Sequence, residues 1–146
     1  MIRTMINGLA LAALLGSAAY AETHEVQMLN RSDDGKIMAF EPGHLQVAPG
    51  DTVKFVATDK GHNAESILEM SPEEAEAFKG RINEEIEVTL DTEGLYAVKC
   101  APHFAMGMVM TIVVGDVTEV PPEFLAGRIP PNAMDRFVVQ IEELGL

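Results

Sequence analysis

One short segment of the chain concentrates side chains that bind soft metal ions. Residues 100–108 read Cys-Ala-Pro-His-Phe-Ala-Met-Gly-Met, so a thiol, an imidazole and thioethers lie within nine residues. A second imidazole is available from His62, in a Gly-His-Asn turn. Two His, one Cys and a weak axial Met form the trigonal ligand set of electron-transfer copper sites. The spacing therefore predicts one copper ion held by His62, Cys100, His103 and Met108.

The donor types also suit a change of oxidation state. Imidazole suits Cu(II), whereas thiolate and thioether suit Cu(I), so a mixed set serves both states. The segment contains no carboxylate, which would favour harder cations. A site fixed by two strand ends and a short loop needs little rearrangement when an electron arrives. The expected function is electron transport, not enzymatic catalysis.

Four other functions are possible for a protein with these residues. Zinc would accept the nitrogens and the thiolate but gives no role to the Met. A copper-trafficking or copper-storage protein would use Met106, Met108 and Met110 as Cu(I) ligands. An enzyme would use Cys100 and His103 as nucleophile and base. A copper-free binding module leaves the ligand spacing unexplained.

The residues that could bind copper must be positioned by short segments in which apolar and polar side chains alternate. Several short strands at this spacing, bounded by turn residues, predict an all-β, antiparallel Greek-key β-sandwich. The segment 109–115 is apolar on both faces, as expected for a central strand. Tyr96, which follows Gly94, is expected to form a tyrosine corner. The predicted strands cover residues 24–30, 44–47, 52–58, 85–90, 95–100 and 109–115.

Two regions break the strand pattern. Ser71-Pro72 followed by acidic residues predicts a short surface helix or turn over 71–76. Towards the C-terminus, Pro121-Pro122 predicts one short α-helix, and Asn132 is expected to cap a longer one. The longer helix should pack back on the sandwich through an apolar stripe of Met134, Phe137, Val138, Ile141 and Leu144.

The beginning of the chain has the pattern of a secretory signal peptide. Arg3 precedes an apolar run over 8–19, and Ala19-Tyr20-Ala21 predicts cleavage after Ala21. The run is too short to span ~30 Å of hydrocarbon. We therefore expect a soluble, monomeric periplasmic protein with one domain over 22–146. The sandwich would occupy about 22–116 and the C-terminal helical extension about 120–146.

Charge and cysteine content limit the partners. Of the 10 Lys and Arg residues only Arg3 lies in the leader, which leaves 9 against 23 Asp and Glu residues, a net charge of −14. Such acidity argues against nucleic acid and anionic membrane surfaces as partners. Cys100 is the only cysteine, and a lone thiol in an oxidising compartment must be buried or ligated.

The predicted cleavage creates a second candidate metal site. A mature start of Glu22-Thr23-His24 places an imidazole third from a free amine. Amine, two amide nitrogens and imidazole together chelate Cu(II) or Ni(II) in a square plane. The simpler interpretation is that His24 only opens the first strand.

Taken together, these features resemble the pseudoazurin group of the cupredoxin family, which also includes plastocyanin and amicyanin. The resemblance rests on the Cys-x2-His-x4-Met spacing, the His 38 positions before the Cys, the run Cys-Ala-Pro-His and the C-terminal helical extension. It covers the whole mature chain. It implies a cupredoxin-like fold and one type I (blue) copper ion.

The resemblance assigns roles to individual residues. It implies the same four copper ligands, and a hydrogen bond from the backbone amide of Asn63 to the Cys100 sulfur. Met106, at His-x2-Met, resembles instead the shorter amicyanin loop. Met108 is preferred because a strand follows it directly and gives the axial ligand a rigid position.

The resemblance also implies partners. It suggests brief, weak encounters with periplasmic denitrification reductases such as copper nitrite reductase, and with c-type cytochromes, through an apolar patch around one edge of His103. Basic side chains should surround this patch on an otherwise acidic molecule. The lysines concerned are Lys36, Lys60, Lys79 and Lys99.

Overall fold

The computed structural model describes residues 19–146, which form eight strands, three short 3₁₀ helices and one α-helix. The predicted signal peptide lies outside the described residues, except for its last three positions. Within the described residues, no helix has the length and apolar character needed to cross a bilayer. The elements are β1 (Thr23–Arg31), β2 (Ile37–Glu41), β3 (His44–Val47), β4 (Asp51–Val56), β5 (Glu65–Ser66), β6 (Ile86–Leu90), β7 (Gly94–Lys99), β8 (Val109–Val114) and α1 (Pro131–Glu143).

The strands form two four-stranded sheets. The orders are β2-β1-β4-β6 and β3-β8-β7-β5, and this confirms the predicted all-β Greek-key sandwich. The expectation that every pairing is antiparallel was wrong, because β1 pairs in parallel with β4, and β3 with β8. The chain leaves the first sheet after β2, forms β3 in the second, and returns as β4. That crossing makes β4 run in the same direction as β1.

The space between the sheets is filled by aromatic and aliphatic side chains. Phe40 and Phe55 meet edge to face with ring centroids 5.9 Å apart. Tyr96 is buried in the same cluster, and its hydroxyl donates to the Thr92 carbonyl at 2.7 Å. The predicted tyrosine corner is therefore present.

A second apolar cluster lies outside the sandwich, between the β7–β8 face and α1. Phe124 and Phe137 meet edge to face there, with ring centroids 5.9 Å apart. Strand β8 is buried along its whole length because one face meets the sandwich core and the other meets this cluster. The predicted packing of the C-terminal extension is thus confirmed.

Some details of the helical predictions need correction. The first C-terminal helix is a 3₁₀ helix over Pro122–Leu125, and α1 begins at Pro131, so Asn132 lies inside the helix instead of capping it. A proline's fixed φ suits the first helical position. Val138 is 40% exposed because it projects away from the sheet beside buried Phe137.

The 71–76 segment forms turns and no helix. The Ser71 hydroxyl donates back to the Ile67 carbonyl at 2.9 Å, and this contact closes the 3₁₀ helix Leu68–Met70. The serine therefore ends one turn of helix and does not begin another.

Candidate metal centre

The predicted ligands come from two loops at one end of the sandwich. Strand β7 ends immediately before Cys100, and β8 begins immediately after Met108. Because β7 and β8 are antiparallel neighbours, both residues lie at the same sheet end, where the Cys100 amide donates to the Met108 carbonyl at 3.0 Å. His103 lies in the 3₁₀ helix between them, and His62 lies in the loop between β4 and β5.

Three donor atoms face one another at this end. The Nδ1 atoms of His62 and His103 are 3.1 Å apart. The Cys100 Sγ lies 3.8 Å from Nδ1 of His62 and 3.6 Å from Nδ1 of His103. Metal–ligand distances of about 2.0–2.3 Å place donors around a trigonal ion roughly 3.5–4 Å apart. The triangle is therefore close to the size that one transition-metal ion requires.

Burial separates the two candidate axial ligands. Met108 is fully buried and belongs to the apolar cluster that also contains Cys100, whereas Met106 is 39% exposed. The backbone amide of Met108 donates to the His103 carbonyl at 3.1 Å, so its position is tied to the neighbouring ligand. These contacts favour Met108 over Met106 as the fourth donor.

The ring of His62 is oriented by a residue that sequence analysis missed. Its Nε2 lies 2.9 Å from Asn30 Oδ1, an acceptor that fixes the proton on Nε2 and leaves the Nδ1 lone pair facing Cys100. Burial is the largest cause that lowers the pKa of His62; nearby His103 adds to it, and Asp59 opposes it. Burial thus favours the neutral imidazole, the form that metal ligation requires.

Opposing influences also act on the pKa of the Cys100 thiol. Burial raises its pKa most, and the charge of Glu65 raises it further, while hydrogen bonds from the backbone of Asn63 and His103 lower it. The hydrogen bond from Asn63 is the one that the family resemblance implies. A cation beside the sulfur would favour the thiolate, because metal binding displaces the thiol proton.

The side chain of Asn63 joins the two loops. Its Oδ1 accepts from the Ala101 amide at 2.7 Å, and its Nδ2 donates to Glu65 at 2.9 Å and to the Gly80 carbonyl at 3.1 Å. Only the backbone amide of this residue was predicted, from the family resemblance, to contact the site. Its position beside His62 was the available signal, because outer hydrogen bonds commonly orient metal ligands.

Two alternatives raised by the sequence, a Cu(I)-trafficking site and an N-terminal Cu(II) chelate, find little support in the structure. Met110, which a Cu(I)-trafficking site would require, is fully buried in the sandwich core. The residues Thr23 and His24 lie in β1 and pair with β4. Successive groups of an extended strand point in alternate directions, so the square-planar chelate would require this pairing to open.

Comparison with known proteins identifies a copper-binding family. Residues 26–115 match the family of copper binding proteins described as the plastocyanin/azurin family. The chain is 45% identical to pseudoazurin of Paracoccus pantotrophus over 92% of its own length and 94% of that protein. It is 51% identical to a putative pseudoazurin of Rhizobium leguminosarum bv. viciae, over 73% and 71% of the two chains. The pseudoazurin structure from Sinorhizobium meliloti superposes with a TM-score of 0.78 at 44% identity, covering 84% of this chain and 96% of that one.

Proposed function

The chain belongs to the plastocyanin/azurin family of copper-binding proteins, in its pseudoazurin group, and is a type I copper electron carrier; on this basis we propose that it delivers electrons in the periplasm to a reductase such as copper nitrite reductase. We propose His62, Cys100, His103 and Met108 as its copper ligands. The observation that carries this assignment is the triangle of one sulfur and two imidazole nitrogens.

The chain's own residues supply a rigid donor set. Bound copper supplies a one-electron couple between Cu(II) and Cu(I). Asn30 holds the ring of His62, and Asn63 links the His62 loop to Ala101, beside Cys100. Because these contacts involve no group that must move, the donors stay close to one geometry in both oxidation states, which keeps the reorganisation that accompanies electron transfer small.

Electrons would enter and leave through His103. Its ring is partly exposed, whereas His62, Cys100 and Met108 are fully buried. Exposed Pro102 and Met106 lie in the same loop and form an apolar rim. A small apolar contact of this kind suits the weak, short-lived complexes of electron-transfer proteins.

Basic residues near this rim would select an acidic partner. The Lys99 Nζ lies 5.1 Å from the centroid of the Phe104 ring and 3.6 Å from a Glu65 oxygen. Lys79 forms a β-bridge with Glu65, and exposed Lys60 lies two residues before His62. Lys36 also pairs with Asp34. The basic rim is thus partly neutralised, so we propose charge steering as a rate effect more than a source of affinity.

A visible spectrum tests the copper assignment. Addition of Cu(II) to the mature protein should produce an intense thiolate-to-copper charge-transfer band that ascorbate bleaches. Cys100→Ser should abolish the band, whereas Met106→Leu should retain it. A Cys100→Ser protein that keeps the band, or a parent protein without one, would contradict the assignment.

Charge reversal tests the docking surface. Lys60→Glu should slow electron transfer to an acidic acceptor and weaken its dependence on salt, because steering acts on the association rate. Lys54→Glu is the matched control: it makes the same charge change beside Glu25 and Glu85, in strand β4. Equal rates for the two variants would refute a basic docking rim. Copper nitrite reductase and a c-type cytochrome are the acceptors to compare.

We also propose export, with cleavage after Ala21 and one mature domain over 22–146. The sequence of the leader supports this proposal. N-terminal sequencing of the protein released by osmotic shock tests it: Glu22 is the expected first residue. Retention in the cytoplasm with the leader intact would refute it.

A further inference from the structure

The helix α1 presents a row of polar side chains to the copper end of the sandwich. Asn132, Arg136 and Gln140 are spaced four residues apart, so they lie along one side of the helix. Each donates a side-chain hydrogen bond to a backbone carbonyl outside the helix. This polar row lies beside the apolar stripe that holds α1 on the sheet.

The first contact of the row is with the loop that carries the proposed ligands. Asn132 Nδ2 donates to the Ala105 carbonyl at 3.1 Å. Gly107 has a φ of +91°, and a Cβ added there would lie 2.9 Å from the Asn132 carbonyl oxygen. Helix and loop therefore touch along their backbones, between His103 and Met108.

The second contact holds an adjacent segment. The Arg136 guanidinium donates to the carbonyls of Met38 and Ile37, both at 2.6 Å. Met38 has a φ of +47°, a left-handed conformation that a side-chain-bearing residue keeps only with support from its surroundings. Met38 also packs against the apolar cluster that includes Cys100 and Met108.

The third contact lies at the end of the loop. Buried Gln140 donates from Nε2 to the Val109 carbonyl at 3.0 Å and accepts from the Thr111 hydroxyl at 2.9 Å. Val109 directly follows Met108. The row therefore binds the middle of the loop, a neighbouring segment and the residue that ends the loop.

We propose that Asn132, Arg136 and Gln140 are positioning residues through which α1 holds the 100–108 loop in the geometry required for copper binding. The inference rests on the proposed copper ligands. The strand ends fix Cys100 and Met108, whereas the intervening carbonyl of Ala105 depends on the helix. The apolar stripe holds α1 on the sheet, and the polar row fixes the position of the loop relative to α1.

Two variants of Asn132 separate this role from simple helix stability. Both Asn132→Ala and Asn132→Asp remove the donor. Asp in the first turn suits the helix dipole, so Asn132→Asp preserves the helix. Both should shift the thiolate-to-copper charge-transfer band and accelerate copper release to a chelator about tenfold, the scale of outer-contact losses in metal sites.

Arg136→Lys adds a second test that keeps the charge. A lysine cannot donate in a fork to two carbonyls, so the charge-transfer band should shift in the same direction. Val138→Ala, on the exposed side of α1, is the matched control and should leave the spectrum unchanged. A spectral shift in Asn132→Asp alone would point to charge and overturn the inference, as would unchanged spectra and release rates in all three variants.

Amide hydrogen exchange in the metal-free protein gives a readout that does not depend on copper. Exchange at Gly107 and Met108 should accelerate in both Asn132 variants and not in Val138→Ala. If the unaltered protein showed no thiolate band, the proposed function would fail, while this exchange would still decide whether α1 holds the loop. Unchanged exchange in both Asn132 variants would refute the inference.

Discussion

The two ends of the sandwich each gather three potential metal ligands, yet they differ in what those ligands face. At one end the donors are His62, Cys100 and His103; at the other end, where β1 begins, they are Glu22, His24 and Asp51. In both groups the ligand atoms lie within 4.8 Å of one another. Proximity alone therefore does not distinguish a metal site from a structural cluster.

The difference lies in how the polar atoms are satisfied. Asp51 accepts hydrogen bonds from the Glu22 amide at 2.9 Å, the His24 ring at 2.9 Å and the Ala48 amide at 3.0 Å, so it joins β1 to the turn before β4. At the copper end, Asn30 binds the outer ring nitrogen of His62, and the inner atoms of His62, Cys100 and His103 face one another. A metal site is recognised by donors whose outer sides are held and whose inner sides converge.

The largest effect should follow from removing Asn63, which holds the copper end together. Asn63→Ala deletes three hydrogen bonds and leaves the buried Gly80 carbonyl without its donor. We expect the free energy of unfolding of the metal-free protein to fall by about 3 kcal/mol, and copper affinity to fall roughly 100-fold. Urea denaturation and competition with a chelator measure the two. A loss below about 1 kcal/mol would show that the loops hold each other without Asn63.

A smaller effect on affinity should follow at Asn30. Asn30→Ala removes the acceptor of the His62 ring, so copper affinity should fall about tenfold while the free energy of unfolding changes by less than about 1 kcal/mol. Asn30→Asp retains an acceptor and should restore affinity. Chelator competition on both variants measures this. Equal affinities in parent and Asn30→Ala would show that packing alone orients the ring.

The sequence revealed the parts of the site that are local. Cys100, His103 and Met108 lie in one loop, and their spacing was sufficient to propose them as ligands; the Gly-His-Asn turn added His62. The structure brings the donor atoms of His62, Cys100 and His103 together. Asn30 left no signal because it lies 32 residues before the ring that it holds. The parallel pairing of β1 with β4 was missed for the same reason, since a strand's own residues do not encode the direction of its partner.

The same reasoning applies to α1. Its apolar stripe follows the helical period and was predicted, apart from Val138, which lies at the edge of the stripe. The polar row was missed because its partners are backbone carbonyls that any sequence provides. Ser71 was predicted to begin a short helix or turn, whereas it closes the 3₁₀ helix before it, because a serine ends a 3₁₀ turn through the same hydroxyl that would begin a helix.

Acid should affect the opposite end of the sandwich through Asp51. The hydrogen bond from the Glu22 amide, followed by those from His24 and Ala48, lowers the pKa of Asp51 from 3.8 to about 2. Because the folded state favours the ionised form, this stabilisation is complete above about pH 4 and is lost as the pH falls through about 2. Asp51→Asn should therefore be less stable than the parent at neutral pH, and the difference should narrow across that window. Thermal unfolding of the metal-free proteins as a function of pH measures this difference in stability, with Asp116→Asn, at an exposed position, as the control. A difference that stays constant as the pH falls would contradict the prediction.

The smallest effect should be that of His24 on copper binding. His24→Gln keeps a side chain that can donate to Asp51, so the fold should change little. If the β1 end is only a structural cluster, parent and variant should both bind one tight equivalent of Cu(II) with the same charge-transfer band. Calorimetric titration of the mature protein decides the matter. A second tight equivalent in the parent that disappears in His24→Gln would mean that the first strand opens to chelate copper, and that satisfied hydrogen bonds do not exclude a metal.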